Sequence, residues 1–179
     1  MKIDKIIVSK NSFESSDVYY IISSNISVIN LLLQEDVDEN DINEDALASY
    51  YVDYYTAQYK NGNFSQFVWN SKWNESLNEI IIKGLEKMGA HKNLELFKEQ
   101  SLKVYELGEE KLNAFLERDY FGPNPTREQL RNSSFYSLDE DIIQLNAEWL
   151  RNHPKLQPLS EEDMYTELEK ITGKKIARE

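Results

Sequence analysis

The sequence contains no cysteine and only four prolines and six glycines among its 179 residues. The absence of cysteine excludes disulfides, thiolate metal sites and cysteine nucleophiles. Scarce turn-forming residues argue against a β-sandwich, whereas helices joined by short loops need few of them. The longest apolar run, residues 26–33, is too short to cross a bilayer. With no export leader at the N-terminus, these absences predict a cytoplasmic protein that does not bind membranes.

The sequence patterns of common catalytic and nucleotide-binding sites are also missing. Only two histidines occur, His91 and His153, and each is predicted to be a polar residue near a helix end rather than a general base. Residues 36–41 alternate oxygen ligands as an EF-hand loop does, but Asp41 and Leu47 stand where that loop requires glycine and glutamate. We therefore predict no catalytic residues, no metal site and no cofactor.

Basic residues are missing from residues 11–59, which contain ten carboxylates and no lysine or arginine. This segment carries most of the net charge of −12. Direct binding to nucleic acid is not expected, because phosphate contacts require clustered bases, whereas a basic protein is the electrostatic complement. Seven of the ten carboxylates lie within residues 35–45 and form the predicted partner-binding surface. They are Glu35, Asp36, Asp38, Glu39, Asp41, Glu44 and Asp45.

The conformation of residues 35–45 decides how closely they resemble the charge of DNA. A helix would place about one charge every 2.4 Å, near the value of about 1.7 Å for duplex DNA. An extended loop would give less than half of that helical density. Since neighbouring like charges oppose helix formation, we expect a solvated loop that leads into a helix capped by Asp41 or Asn43.

What the sequence does contain is helical periodicity, with apolar residues spaced by three and four along most of its length. It predicts an all-α bundle of about eight to ten helices in a single domain over residues 1–179, with little or no β-structure. Residues 3–8 are either a short strand or an unstructured arm, and residues 1–12 and 174–179 are expected to be loose ends. Asn25 is a point at which the first long helix would divide, and Thr126 is predicted to cap a later one.

Five tyrosines lie within residues 50–59, on a helix that is predicted to end at Asn61 and Gly62 and to be followed by a short helix. In one interpretation these rings are half buried in the core, with their hydroxyls reaching water or backbone. In another they form, with Asp53, a platform for a small ligand or substrate. The second interpretation requires a deep pocket beside Tyr50 or Tyr54.

The run YYVDYYTAQYKNGNFSQFVWNS, residues 50–71, resembles the signature of the DNA-mimic protein family. Residues 84–100 are similar to the family's next helix pair, and the resemblance covers roughly residues 45–105. The family usually has a second glycine where this chain has Asn63, and asparagine tolerates a left-handed backbone, so the turn is expected to persist. The matching signature positions are Tyr51, Tyr55, Gln58, Asn61, Gly62, Phe64, Gln66, Phe67 and Asn70.

The resemblance implies an all-helical fold and an acidic, dimeric surface that occupies the DNA-binding face of a transcription factor. The signature residues themselves are interpreted as structural: the aromatic rings fill the core, while Gln66 and Asn70 bond backbone groups freed at the turn. The same electrostatics suit an immunity- or antitoxin-like inhibitor of a basic toxin. A helical domain whose acidity is incidental is a further alternative.

Overall fold

The computed structural model describes residues 2–178, and α-helices dominate this part of the chain. The predicted all-α fold of eight to ten helices is confirmed. Two short strands, β1 (Ile6–Ser9) and β2 (Leu156–Leu159), accompany the helices. Within residues 2–178 no helix is long and apolar enough to span a bilayer. The helices are α1 (Lys10–Glu14), α2 (Tyr19–Gln34), α3 (Glu44–Ser71), α4 (Glu75–Lys87), α5 (His91–Leu107), α6 (Glu109–Glu117), α7 (Pro125–Leu130), α8 (Ile142–Arg151) and α9 (Glu161–Thr172).

The described residues form two compact units. The first combines the residues up to Tyr50 with those from Ile143 onward, and therefore contains both strands, α1, α2, α9 and most of α8. The second is the contiguous segment Tyr51–Ile142, which contains most of α3 and all of α4 to α7. That the whole chain behaves as a single domain stays a prediction.

In the first unit, β1 pairs in parallel with β2, and Ile6 lies opposite Leu156. Of the two alternatives for the N-terminal segment, the strand is therefore correct. The described part of residues 1–12 is not the loose end we predicted, because burying four branched apolar side chains there is strongly favourable. Those side chains are Ile3, Ile6, Ile7 and Val8.

The helix α2 is continuous, so the predicted division at Asn25 is wrong. The Asn25 side chain is buried in the middle of the helix, and its Nδ2 donates a hydrogen bond to the carbonyl of Ala46 at 2.9 Å. That bond satisfies the buried amide, which removes the reason for breaking the helix there.

The core of the second unit is a cluster of aromatic rings around Tyr55, which is fully buried. The Tyr55 ring makes edge-to-face contacts with Phe97, Phe67 and Tyr59, at centroid distances of 5.1, 5.3 and 5.7 Å. The neighbouring Tyr54 ring lies 6.2 Å from that of Phe67. These packed rings agree with the structural interpretation of the tyrosine-rich helix rather than with a ligand platform.

The backbone of α3 breaks at Gly62 and Asn63, where the end of the tyrosine-rich helix was predicted. Asn63 has φ 74° and ψ −178°, a conformation usually reserved for glycine. Gly62 is favoured for another reason: its φ of −157° suits any residue, but a Cβ there would lie 2.9 Å from Cβ of Gln66, so that residue would have to shift. The predicted turn is therefore present. Asn63 adopts the positive φ, and Gly62 leaves room for the side chain of Gln66.

The N-terminus of α5 is capped from a distant part of the chain, because its own N-cap residue, Ala90, has no side-chain acceptor. Instead, the Glu140 carboxylate accepts the backbone N–H groups of Lys92, at 3.1 Å, and Asn93, at 2.8 Å. It also accepts Nδ2 of Asn93 at 2.7 Å. Burial acts to raise the pKa of Glu140, but the hydrogen bonds from Asn93 and Lys92 outweigh it and hold the pKa below its ordinary value.

We expect Glu140→Gln to destabilise the protein by about 1 kcal/mol at neutral pH, since it weakens a helix cap. A carboxyl whose pKa is lowered on folding stabilises the fold above its unfolded pKa and loses this effect as the pH falls through the folded pKa. The difference in free energy of unfolding between wild type and variant should therefore shrink below about pH 4–5. Urea titrations across that range measure it, and a difference independent of pH would contradict the assignment.

Candidate protein-binding surface

The predicted partner-binding acids, residues 35–45, connect α2 to α3 within the first unit. They form neither the continuous helix nor the extended loop considered from the sequence. The segment instead consists of the end of α2, a 3₁₀ turn at Glu39–Asp41 and the first turn of α3. We refer to residues 35–45 as the acidic segment.

The acidic segment begins with a hydrogen-bonded end of α2. The N–H of Val37 donates to Leu32 O at 3.0 Å, and the N–H of Asp36 donates to Leu33 O at 3.2 Å. Asp36 adopts φ 65°, the left-handed conformation that commonly ends a helix in this pattern. These bonds fix the backbone of Asp36 at the point where the chain leaves α2, and its carboxylate is exposed.

The middle of the acidic segment is shaped by Asp38, whose carboxylate accepts the backbone N–H and the side-chain Nδ2 of Asn40, both at 2.9 Å. These two hydrogen bonds, first that of the backbone and then that of the side chain, lower the pKa of Asp38. The turn is joined to the N-terminal segment by a hydrogen bond from the Ile3 N–H to Asp41 O, of 2.7 Å. The charges in the middle of the segment are thus carried on an ordered backbone.

The segment ends on two buried residues, Ile42 and Asn43. Asn43 is the N-cap of α3: its Oδ1 accepts the N–H groups of Asp45 at 2.9 Å and Ala46 at 3.2 Å. Of the two predicted caps, Asn43 is therefore the correct one. Glu44 and Asp45 occupy the first turn of α3, where negative charge is favourable.

Both ends of the acidic segment have basic neighbours in the first unit. Nζ of Lys174 lies 3.3 Å from the Glu35 carboxylate and 3.4 Å from that of Asp36. The hydrogen bond with Glu35, followed by that with Asp36, raises the pKa of Lys174. At the other end, Nε2 of His153 lies 3.0 Å from the Asp45 carboxylate. The spacing of the sequence did not indicate either contact.

Exposure varies along the acidic segment in a way that the sequence did not specify. Asp36, Asp38 and Glu44 are exposed, whereas the other four carboxylates are half-buried. No group of three or more histidine, aspartate or glutamate residues suited to holding a metal ion occurs in the described part of the chain. The acidic segment therefore presents three exposed and four half-buried carboxylates.

The signature residues lie in the second unit and surround the break in α3. Tyr55, Phe64 and Phe67 are fully buried, whereas Tyr51 is half-buried and Asn61 is exposed. The signature therefore forms the core and the turn, and the structure places none of its residues in the acidic segment.

Our prediction for Gln66 and Asn70 was wrong in detail. Nε2 of Gln66 donates to Oε1 of Gln58 at 3.0 Å, and Nδ2 of Asn70 donates to the same atom. The three amides bridge the two halves of α3 rather than bonding the freed backbone groups. This bridge passes over Gly62, which explains why a Cβ there would meet the Gln66 side chain.

Two of the carbonyls freed at the break are bonded by tyrosines within residues 120–136, a contact that was not predicted. The Tyr120 hydroxyl donates to Gly62 O at 2.8 Å, and the Tyr136 hydroxyl donates to Tyr59 O at 2.7 Å. Oδ1 of Asn63 accepts the N–H of Asn132 at 2.6 Å. Tyrosines on either side of the Gly122-Pro123 sequence were the available signal, since buried backbone groups need partners.

Comparison with known protein families gives a match that covers more than half of the chain. The sequence profile of the DMP19-like protein family matches residues 40–153, which extends beyond the predicted resemblance at both ends. The match contains the whole signature together with Asp41, Glu44 and Asp45, whereas Glu35, Asp36, Asp38 and Glu39 precede it. No match was found among curated proteins or among solved structures. The chain belongs to the DMP19-like protein family.

Proposed function

We propose that this protein is a non-catalytic DNA mimic whose acidic segment binds the basic face of a DNA-binding protein. A transcription regulator is the class of partner that the resemblance implies. The observation that carries the proposal is an ordered cluster of seven carboxylates in a chain of the DMP19-like family. The proposal includes the homodimer that the resemblance implies, which would present the segment twice.

Order in the acidic segment supports the proposal because a partner does not have to immobilise it. Its backbone is fixed by the end of α2, by the Asn40 bonds to Asp38 and by the buried Asn43 cap. Ordering a flexible loop on binding costs free energy, and a preformed surface avoids that cost. The same argument weighs against the alternative in which these charges form a mobile, solvated connection.

The distribution of charge also supports a surface on the first unit. By sequence, the residues of that unit carry 17 acids and 9 bases, whereas those of the second carry 15 and 11. Two thirds of the net charge of −12 therefore belong to the unit that contains the acidic segment. A field of this sign accelerates the encounter with a basic partner and weakens as salt rises.

The test is capture of basic DNA-binding proteins from native lysate at low and high salt, with duplex DNA as competitor. We expect Asp36→Asn, Asp38→Asn, Glu39→Gln and Asp41→Asn together to reduce capture by roughly tenfold or more, since contacts between opposite charges across an interface are removed. Asparagine retains the oxygen that accepts the Asn40 hydrogen bonds at position 38, so the local fold should persist.

The matched control removes four exposed carboxylates of the second unit: Glu86, Glu95, Glu106 and Glu117 are each replaced by glutamine. It changes the net charge by the same amount, so it should retain capture if the acidic segment is the contact. Equal loss in both variants would show a nonspecific charge effect. Capture that duplex DNA does not displace would contradict mimicry, because a mimic and DNA compete for one face.

A further inference from the structure

A cleft of the opposite charge lies in the second unit, beside the break in α3. Its volume is about 420 Å³, within the usual range for binding pockets. Its charged lining residues are Lys60, Arg127 and Arg131, and none of the carboxylates in residues 2–178 lines it. Three bases without an acid are unexpected in a chain that has 32 acidic and 20 basic residues. We refer to this site as the basic cleft.

The two arginines of the basic cleft share a single carboxylate. Nε and Nη2 of Arg127 donate to Oε1 of Glu128 at 3.1 and 3.0 Å, and Nη1 of Arg131 donates to Oε2 at 3.3 Å. Lys60 is exposed and has no ion pair within the described residues. Two positive charges therefore remain in excess at the cleft, and Arg131 is exposed enough to bond a further anion.

Aromatic side chains at the basic cleft are exposed to a degree that the packing of one chain does not explain. Phe121 is 84% exposed and Tyr136 is 58% exposed. The Phe121 ring lies edge-on to the adjacent Tyr120 ring at 5.4 Å, and the Tyr136 hydroxyl donates a hydrogen bond to Tyr59 O. Exposed, positioned aromatic and arginine side chains are typical of the residues that dominate binding energy at protein interfaces.

We propose that the basic cleft binds an acidic peptide segment of a second protein. Its carboxylates would accept hydrogen bonds from Lys60 and Arg131, while an adjacent apolar side chain packs on Phe121. A free phosphate has no apolar group that could pack on the Phe121 ring. A nucleic acid is disfavoured, because a long polyanion is repelled by the net charge of −12 and three bases neutralise few phosphates.

This inference does not depend on the proposed DNA mimicry. The acidic segment belongs to the first unit and the basic cleft to the second. The two proposals are therefore tested by different substitutions, and they require partners of opposite charge. A protein with both would contact a basic partner through one surface and an acidic peptide through the other.

The experiment measures fluorescence anisotropy of a short labelled peptide of alternating glutamate and phenylalanine, titrated with the full chain at near-physiological salt. We expect Lys60→Gln and Arg131→Gln each to weaken binding by up to roughly fivefold, the effect of losing one exposed ion pair. Phe121→Ala should also weaken it, since it removes the apolar contact. Lys98→Gln and Lys111→Gln remove exposed bases of the same unit outside the cleft, and should leave binding unchanged.

Several results would overturn the proposal. One is that the peptide binds no more tightly than a version with glutamine in place of glutamate, or does not bind at all. Another is that the Lys98 and Lys111 variants weaken binding as much as the cleft variants do. A separate titration with inorganic pyrophosphate tests for a small-anion site. Binding of pyrophosphate but not of the peptide would identify such a site and overturn the proposal.

Discussion

Replacing Tyr55 with alanine is expected to lower the free energy of unfolding by about 3–5 kcal/mol, as is usual when a large buried aromatic side chain is removed. The ring is fully buried and lies at the centre of the aromatic cluster of the second unit, in contact with Phe97, Phe67 and Tyr59. Its removal leaves a cavity, and the surrounding rings, which are held on three segments of helix, can collapse into it only partially.

Tyr55→Phe is the matched control, because the Tyr55 hydroxyl is buried without a hydrogen-bond partner among the described residues. Burial raises the pKa of this hydroxyl well above its ordinary value, so it remains neutral. Removing an unsatisfied polar atom while keeping the ring should leave stability unchanged or raise it by up to about 3 kcal/mol. Urea unfolding followed by circular dichroism measures both variants. A phenylalanine variant as unstable as the alanine variant would refute this account.

The second large effect is expected at Asn63, where we predict a loss of about 2–5 kcal/mol on substitution by alanine. Oδ1 of Asn63 accepts the N–H groups of Phe64, at 2.8 Å, and Asn132, at 2.6 Å. Alanine removes both bonds, and leaving a buried donor unsatisfied costs about 1–3 kcal/mol. The positive φ of 74° remains, and alanine adopts it no more easily than asparagine does.

The Asn63→Gly variant distinguishes the effect of backbone strain on stability from the effect of the Asn63 side-chain hydrogen bonds. Glycine has no Cβ, so it relieves a strain of about 1–3 kcal/mol at this φ and ψ. The stability order should be asparagine, then glycine, then alanine. In denaturant titrations, the gap between glycine and alanine reports the strain, and the gap between asparagine and glycine reports the net gain from the side-chain bonds. A glycine variant more stable than wild type would show that these bonds contribute less than the strain.

Local features of the fold were predicted well because they depend on neighbouring residues. Helical spacing predicted the all-α fold, and the turn at Gly62 and Asn63 has the expected left-handed residue. Even so, the cap of α7 was assigned to Thr126, whereas Oδ1 of Asn124 accepts the N–H of Arg127 at 3.1 Å and Pro125 begins the helix. Asparagine followed by proline is the better start signal, because proline at the first helical position lacks only an N–H that would be unpaired anyway.

Features that depend on residues far apart in sequence were missed. The strand β2 contains Pro158 and does not alternate, so only its pairing with β1 makes it a strand. Glu140 caps α5 and Lys174 pairs with the acidic segment across long stretches of chain, and no local pattern indicates either. For the candidate site, the sequence identified the acids, whereas their order and their basic neighbours required the structure.

The parallel pairing of β1 with β2 has a consequence for how the chain folds. Ile6 pairs with Leu156, 150 positions later, so the first unit cannot complete its sheet until most of the chain has been synthesised. The second unit is contiguous from Tyr51 to Ile142 and forms its contacts from segments closer in sequence. Because closing long loops delays folding, the aromatic core of the second unit should form before β1 pairs with β2. During that interval Ile6, Ile7 and Val8 lack β2, which makes this segment the one to protect from aggregation in the cell.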